Sequence, residues 1–389
     1  MRKTVGLMLL TLIVLVQGGC QQGADFNNRA FATGLFVDRT KDGQVEMTLA
    51  FPLVNRLGVG LPGSSGSQTG KPFAGVTKIA PTLSEAAYAI QLDLSRRISW
   101  GHTRVVVIGQ DYAKSGINDL LEWIVRLPSF HMQSYVLVAP GKARSILELT
   151  PVFERTAVEA LLKILKQNIV LDTNILAFVS SSPYTDTAVS NLTVGNVKMI
   201  SENNKRSPWV GTSGAVLFRN NRMVGSVNRD QAIALSLFST PSPLDLYSVP
   251  KGKSNEIFSA RLYETNTKIE TKKDGEHIHF RLKVRGHAML SQVKTPLNLF
   301  NRETLNSMDE KLSQRVKSLL DQAIRESREK EADVLGLGNY VEWRYPDYWG
   351  KIKNNWRQEY GKGVEIESDV KLEIKHRGEE NNPIWMNEG

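Results

Sequence analysis

One cysteine, Cys20, stands in the whole 389-residue chain. That excludes a disulfide framework and any cysteine-based zinc site, since each needs several thiols. Beyond the first twenty residues no apolar run approaches the ~20 residues that a membrane-spanning helix requires. With a mean hydropathy of -0.26, a polytopic membrane protein is excluded. Neither H-E-x-x-H nor G-x-S-x-G occurs, so two common hydrolase signatures are missing. What remains is ordinary: hydrophobic residues at 41 % and charged residues at 23 % exclude wholesale disorder. The excess of 49 Lys+Arg over 40 Asp+Glu, a net +9, permits attraction to anionic lipid, acidic polymers or nucleic acid and selects none of them. At ~150 residues per domain, two or three domains are expected.

The chain opens with Arg2 and Lys3, runs apolar from Val5 to Val16, and then reaches Gly18, Gly19 and Cys20. A basic start, about a dozen apolar residues and a small-residue end form a secretory signal peptide over 1–19. Small residues before the lone cysteine resemble a bacterial lipobox, with Gln17 where leucine is usual. Cys20 is therefore the expected lipidation site, and the body is expected outside the cytoplasm on a lipid tether.

Two regions follow, 20–200 and 201–389. In the first, Val45, Met47, Leu49 and Phe51 alternate as a half-buried strand does, and residues 58–75 form a Gly/Ser-rich flexible loop. Helical spacing from Leu83 to Leu94, a buried strand at Val105–Ile108, a short helix closed by Pro128 and a second buried strand at Tyr135–Val138 predict mixed α/β structure. Residues 142–167 read as helical, with Pro151 early in a new helix. In the second region Arg219-Asn220-Asn221-Arg222 predicts a hairpin turn. His277–Arg285 and Val364–Ile374 alternate as one-sided strands of antiparallel type, and Arg302–Glu331 carries a long apolar stripe. Trp349, Ile352 and Trp356 share a face of a shorter helix after Pro346. The expected class is α+β: a mixed N-terminal region, then an antiparallel sheet packed by one long helix and a shorter Trp-bearing one.

Candidate chemistry is sparse. Gly58 to Gly63 matches G-x-G-x-x-G, but Pro62 and the Ser/Gly run that follows cannot open the helix this motif needs. His277 and His279 have metal-ligand spacing on one strand face, yet Arg281, Lys283 and Arg285 share it and repel a cation. His102 could act as a general base, but no carboxylate close in sequence is placed to orient it. Trp343, Trp349 and Trp356 could stack a sugar or base, although core packing accounts better for helix-spaced indoles. No catalytic residue, metal or cofactor is assigned, and no nucleic-acid partner is expected.

Several segments carry a resemblance in the right order along the mature chain. They are Cys20 with Asn27-Asn28-Arg29-Ala30-Phe31 and a strand ending at Asp38, then Ser99 to Gly109, Ala113 to Ile117, and Gly141-Lys142-Ala143 with Ile146-Leu147-Glu148. Gly214 to Phe218 with Met223-Val224-Gly225 continues it, and Ala332-Asp333-Val334-Leu335-Gly336-Leu337-Gly338 with Pro346, Trp349 and Trp356 completes it. Together they resemble the Ger(x)C (GerAC-type) spore germination lipoproteins, the C subunits of nutrient germinant receptors. The resemblance implies a non-enzymatic subunit, lipid-anchored on the outer face of the spore inner membrane beside A and B receptor subunits. A solute-binding lipoprotein of an import system is the alternative, and it predicts two similar doubly wound lobes.

Overall fold

The computed structural model describes residues 28–53, 71–149, 151, 153–167, 171–181, 183–198, 204, 206–239, 246–249, 258–294, 299 and 301–376. The first half supplies β1 (Arg29–Phe31), β2 (Gly34–Arg39), β3 (Val45–Pro52), β4 (Phe73–Ala80), α1 (Leu83–Leu92), β5 (Arg97–Ser99), β6 (Val105–Gly109), α2 (Gln110–Ser115), α3 (Asn118–Val125) and β7 (Tyr135–Ala139). Next come α4 (Ala157–Lys166), α5 (Ile175–Ser180), β8 (Thr187–Lys198), β9 (Arg206–Arg219), β10 (Arg222–Asn228) and α6 (Arg229–Ser236). One sheet of eight strands, ordered β10-β9-β8-β7-β6-β2-β3-β4, takes all these strands except β1 and β5, which pair with each other. Its centre, β8-β7-β6-β2, is parallel, and antiparallel pairs extend it on both sides. The Val/Ile/Leu-rich β6 and β7 are buried on both faces, as central parallel strands must be.

β3 departs from expectation: it is buried on both faces, Glu46 and Thr48 included. A 3-10 turn at Ala143–Glu148 and the side chains of Lys142 and Arg144 cover the face that alternation assigns to water. Pro151 opens no helix. α4 starts at Ala157, where Thr156 accepts a hydrogen bond from the Glu159 amide and so caps the first turn. Of the loop 58–75, residues 58–70 lie outside the described residues, and Phe73–Gly75 begin β4. The hairpin turn is where the sequence puts it, with Asn220 and Asn221 at φ 50 and 58. In β9, Gly214 adopts φ +144, and a β-carbon there would overlap the Val227 carbonyl. That position beside a register shift in β8–β9 bends the strand and requires glycine.

The second half adds β11 (Leu246–Val249), β12 (Phe258–Asp274), β13 (His277–Val293), α7 (Arg302–Glu329), α8 (Leu337–Arg344), α9 (Pro346–Ile352), α10 (Trp356–Gln358) and β14 (Glu365–His376). These strands form a second sheet in the order β11-β12-β13-β14, and the class is α+β. One correction applies: β14 runs parallel to β13, so this sheet is mixed. α7 carries the chain back along β13 before β14 begins, and a return of that length makes the parallel crossover possible. α7 covers one sheet face with Met308, Leu312, Val316, Leu319 and Ala323, all buried against Phe280, Leu282, Val284, Leu372 and Ile374. It also caps the sheet edge. Ser313 Oγ accepts from the Leu372 amide at 2.9 Å, and Asp309 Oδ1 accepts from the Ile374 amide at 2.8 Å. Edge N–H groups that would template another strand are thereby occupied.

Candidate functional site

Several of the segments that carry the family resemblance meet at two buried carboxylate joints. At the first, Asp38 ends β2 and is 3 % exposed. Its carboxylate accepts from the Ala143 amide at 2.7 Å and the Arg144 amide at 3.0 Å, at the start of the 3-10 turn after Gly141. Gly109, at the end of β6, lies against the same carboxylate, and a β-carbon there would overlap Asp38 Oδ1. Burial raises the Asp38 pKa despite the two amide donors. Next to it, Glu46 receives Lys142 at 2.6 Å and Arg144 at 3.2 Å. Burial opposes ionisation of Glu46, but these two cations outweigh it and hold its pKa below the ordinary value. The ends of three parallel strands are thus tied together where α/β sheets commonly bind ligands. Here the position is filled by the protein's own side chains.

The second joint links the two halves. Asp186, just before β8, accepts from the Asn220 amide, from Arg357 at 3.0 Å and from the Asp333 amide at 3.1 Å. Asp333 is fully buried and accepts from the Leu337 amide, the Gly338 amide and Trp356 Nε1 at 2.9, 2.8 and 2.9 Å. Burial pushes its pKa up to about 6. Ser327 and Tyr360 hydrogen-bond at 2.6 Å beneath it, and Arg219 reaches the Lys330 carbonyl at 3.1 Å and Glu331 at 3.0 Å. The Ala332–Gly338 motif is therefore a structural hinge plate: its carboxylate and backbone bind β8, the β9–β10 turn and the tryptophan helices into one body.

Neither joint has a free base beside a nucleophile, because each carboxylate is committed to amides, an indole or cations. Among the described residues no group of three His, Cys, Asp or Glu side chains is placed to hold a metal ion. His279 hydrogen-bonds Glu365 at 2.8 Å and Arg281 pairs with Glu367 at 3.1 Å, so side-chain pairs tie this β13 face to β14. His277 is exposed at the start of the strand. His102 is exposed too, edge-on to Phe31 with centroids 4.7 Å apart. Trp349 and Trp356 are buried 5.4 Å apart, on α9 and α10 rather than one helix. Trp343 is 73 % exposed, so packing does not account for it. Cys20 lies outside the described residues. A cleft of about 480 Å³ between the start of α3 and the β9–β10 turn is lined by Arg39, Asn118, Asp119, Arg219 and Arg222. Arg39 already pairs with Asp119, and Arg219 with Glu331. Sequence reasoning did not single out Asp186, Glu46 or Arg357; of the joint carboxylates only Asp38 and Asp333 fell inside quoted segments.

Two family models match the chain in succession. A family model described as "Spore germination protein N-terminal domain" matches residues 22–192. Another, "Spore germination B3/ GerAC like, C-terminal", matches residues 213–378. Spore germination protein KC of Bacillus subtilis (strain 168) is 22 % identical, the match covering 98 % of each chain. Spore germination protein B3 of the same organism is 22 % identical over 97 % of this chain and 98 % of its own. The crystal structure of the GerBC protein superposes with a TM-score of 0.56 at 18 % identity, covering 89 % of this chain and 98 % of that one, and so shares the fold.

Proposed function

We infer the function of this chain from its family: it belongs to the GerAC-type spore germination proteins, which are not enzymes. On that premise the chain is the C subunit of a nutrient germinant receptor, held by diacylglycerol on Cys20 to the outer face of the spore inner membrane. It works there by binding the A and B subunits, with no turnover of its own. The observation that carries this reading is the match over the full length, N-terminal and C-terminal models in order, to relatives named for spore germination. The lipobox resemblance at Gly18-Gly19-Cys20 supports the anchor, since two acyl chains hold a protein stably where one does so marginally. Tethering raises effective concentration, so a modest interface is enough to keep partners assembled.

Division of the body into 20–200 and 201–389 is part of the same proposal, with β8 and β9 joining the two regions across one sheet. Nothing in the fold favours the solute-binding alternative, because an eight-stranded and a four-stranded sheet are not two similar lobes. Three measurements test the reading. Mass spectrometry of the mature N-terminus should find an acylated Cys20, and Cys20→Ala should leave the membrane fraction. Co-purification from spore membranes should recover A and B subunits. Deleting the chain should slow nutrient-triggered germination and spare non-nutrient triggers; equal loss of both would refute a receptor role.

A further inference from the structure

The chain enters the described fold at β1, and Arg29 stands nine positions after Cys20. A spacer that short spans at most about 30 Å fully extended, so β1 stays near whatever holds Cys20. β1 and β5 form a ribbon of their own, paired in parallel with Arg29 opposite Arg97, Ala30 opposite Ile98 and Phe31 opposite Ser99. Ala30 and Ile98 pack against the core. By the two-residue period of a strand, Arg29, Phe31, Arg97 and Ser99 take the outer face, where His102 meets Phe31. Arg29, Arg96 and Arg97 are all exposed, and among the described residues none of the three forms an ion pair.

This differs from the face that β13 shares with β12 and β14. On β13 the cations meet acids: Arg281 has Glu367, Lys283 has Glu270 and Arg285 has Asp369. Like charges directly opposite in a ribbon repel and destabilise it. A register that sets Arg29 against Arg97, with Arg96 adjoining and no carboxylate among the described residues paired with them, is complementary to an anionic surface outside it. We propose that the β1–β5 arginine ribbon seats the body on anionic phospholipid headgroups at the point where the lipid tether enters, fixing which face looks at the membrane. This rests on the reading of Cys20 as the lipid-bearing residue.

The test uses the mature lipoprotein in vesicles of phosphatidylcholine alone and in vesicles that also contain phosphatidylglycerol. Amide hydrogen exchange over 29–31 and 97–104 should slow several-fold on the anionic vesicles only, and high salt should reverse it. The triple variant R29Q/R96Q/R97Q should still float with both vesicles and unfold at the same temperature, but lose that slowing. At roughly fivefold per basic residue, the ribbon should raise partition onto anionic vesicles on the order of a hundredfold. Equal exchange on both vesicles overturns the proposal, as does slowing that survives the triple substitution. Slowing that needs the partner subunits also overturns it, because the ribbon would then face an acidic protein surface. Failure to float on neutral vesicles overturns the anchor alone. The ribbon still requires salt-sensitive flotation on anionic vesicles, and its absence there sinks the ribbon as well.

Discussion

Asp186 and Asp333 lie 147 positions apart and bind through each other's backbones: the Asp186 N–H donates to the Asp333 carbonyl at 3.0 Å, and the Asp333 N–H donates to the Asp186 carboxylate at 3.1 Å. Around this exchange the Asp186 carboxylate also holds Arg357 and the Asn220 amide, and its side chain is only 1 % exposed. Truncating it strands a guanidinium and two amides at once. Asp186→Ala should therefore destabilise the protein by about 3–5 kcal/mol in urea titration, as expected for breaking a buried ion pair from one side. Asp186→Asn, which keeps an acceptor, should lose less. A cost below ~1 kcal/mol for the alanine variant would show that the joint does not hold the halves together.

The carboxyl of Asp333 gives the protein a pH signature opposite to that of a salt-bridged acid. Burial raises its pKa from 3.8 to about 6, so between these values the folded chain holds a proton that the unfolded chain has released. Stability contributed by this group is complete below about pH 4 and is lost as pH rises to about 6. A shift of that size corresponds to roughly 3 kcal/mol. Carbon-13 titration should place the Asp333 midpoint near 6. The stability difference between wild type and Asp333→Asn should move in favour of the variant across the same window. A midpoint near 4 would refute the assignment.

Elements whose local pattern agrees with their packing were legible in the sequence. β6, β7, α1, the long helix α7 and the Asn220-Asn221 turn stand where apolar period and turn chemistry put them. β8 was not legible: Thr187–Lys198 holds Ser190, Asn191, Thr193 and Asn196, and polar residues of this kind give no alternation to read. It is a strand because β9 pairs with it along its length. The direction of β14 was equally hidden, since a one-sided apolar pattern is the same in parallel and antiparallel pairing. The joints failed for another reason. Asp186 and Asp333 are ordinary acids in sequence, and only the fold brings their partners together.

Gly109 should tolerate no side chain. Its Cα lies against the Asp38 carboxylate, and a β-carbon would displace that group from the Ala143 and Arg144 amides. Gly109→Ala should cost about 2–3 kcal/mol through overpacking and the two buried amides left unpaired. The loss should be local: amide exchange at Ala143–Glu148 should quicken while the middle of α7 is unchanged. Uniform exchange rates across both segments would mean that Asp38 does not organise this end of the sheet.

The C-terminal layer depends on α7 sitting across β13 and β14. Leu312 is 0 % exposed within that contact, between Ser313 and Asp309, which hold the amides of Leu372 and Ile374. Leu312→Asp places a carboxylate where no cation or donor among the described residues is committed to receive it, and a lone charge in an apolar core is among the most costly of substitutions. The variant should lose its cooperative thermal transition, whereas Leu312→Met, close in volume, should cost less than about 1.5 kcal/mol. Ser313→Ala separates the edge cap from the core: it removes only the acceptor for the Leu372 amide, so a loss of about 1 kcal/mol is expected. If Leu312→Asp melted like wild type, α7 would have to lie elsewhere, and the edge of β14 would be open to another strand.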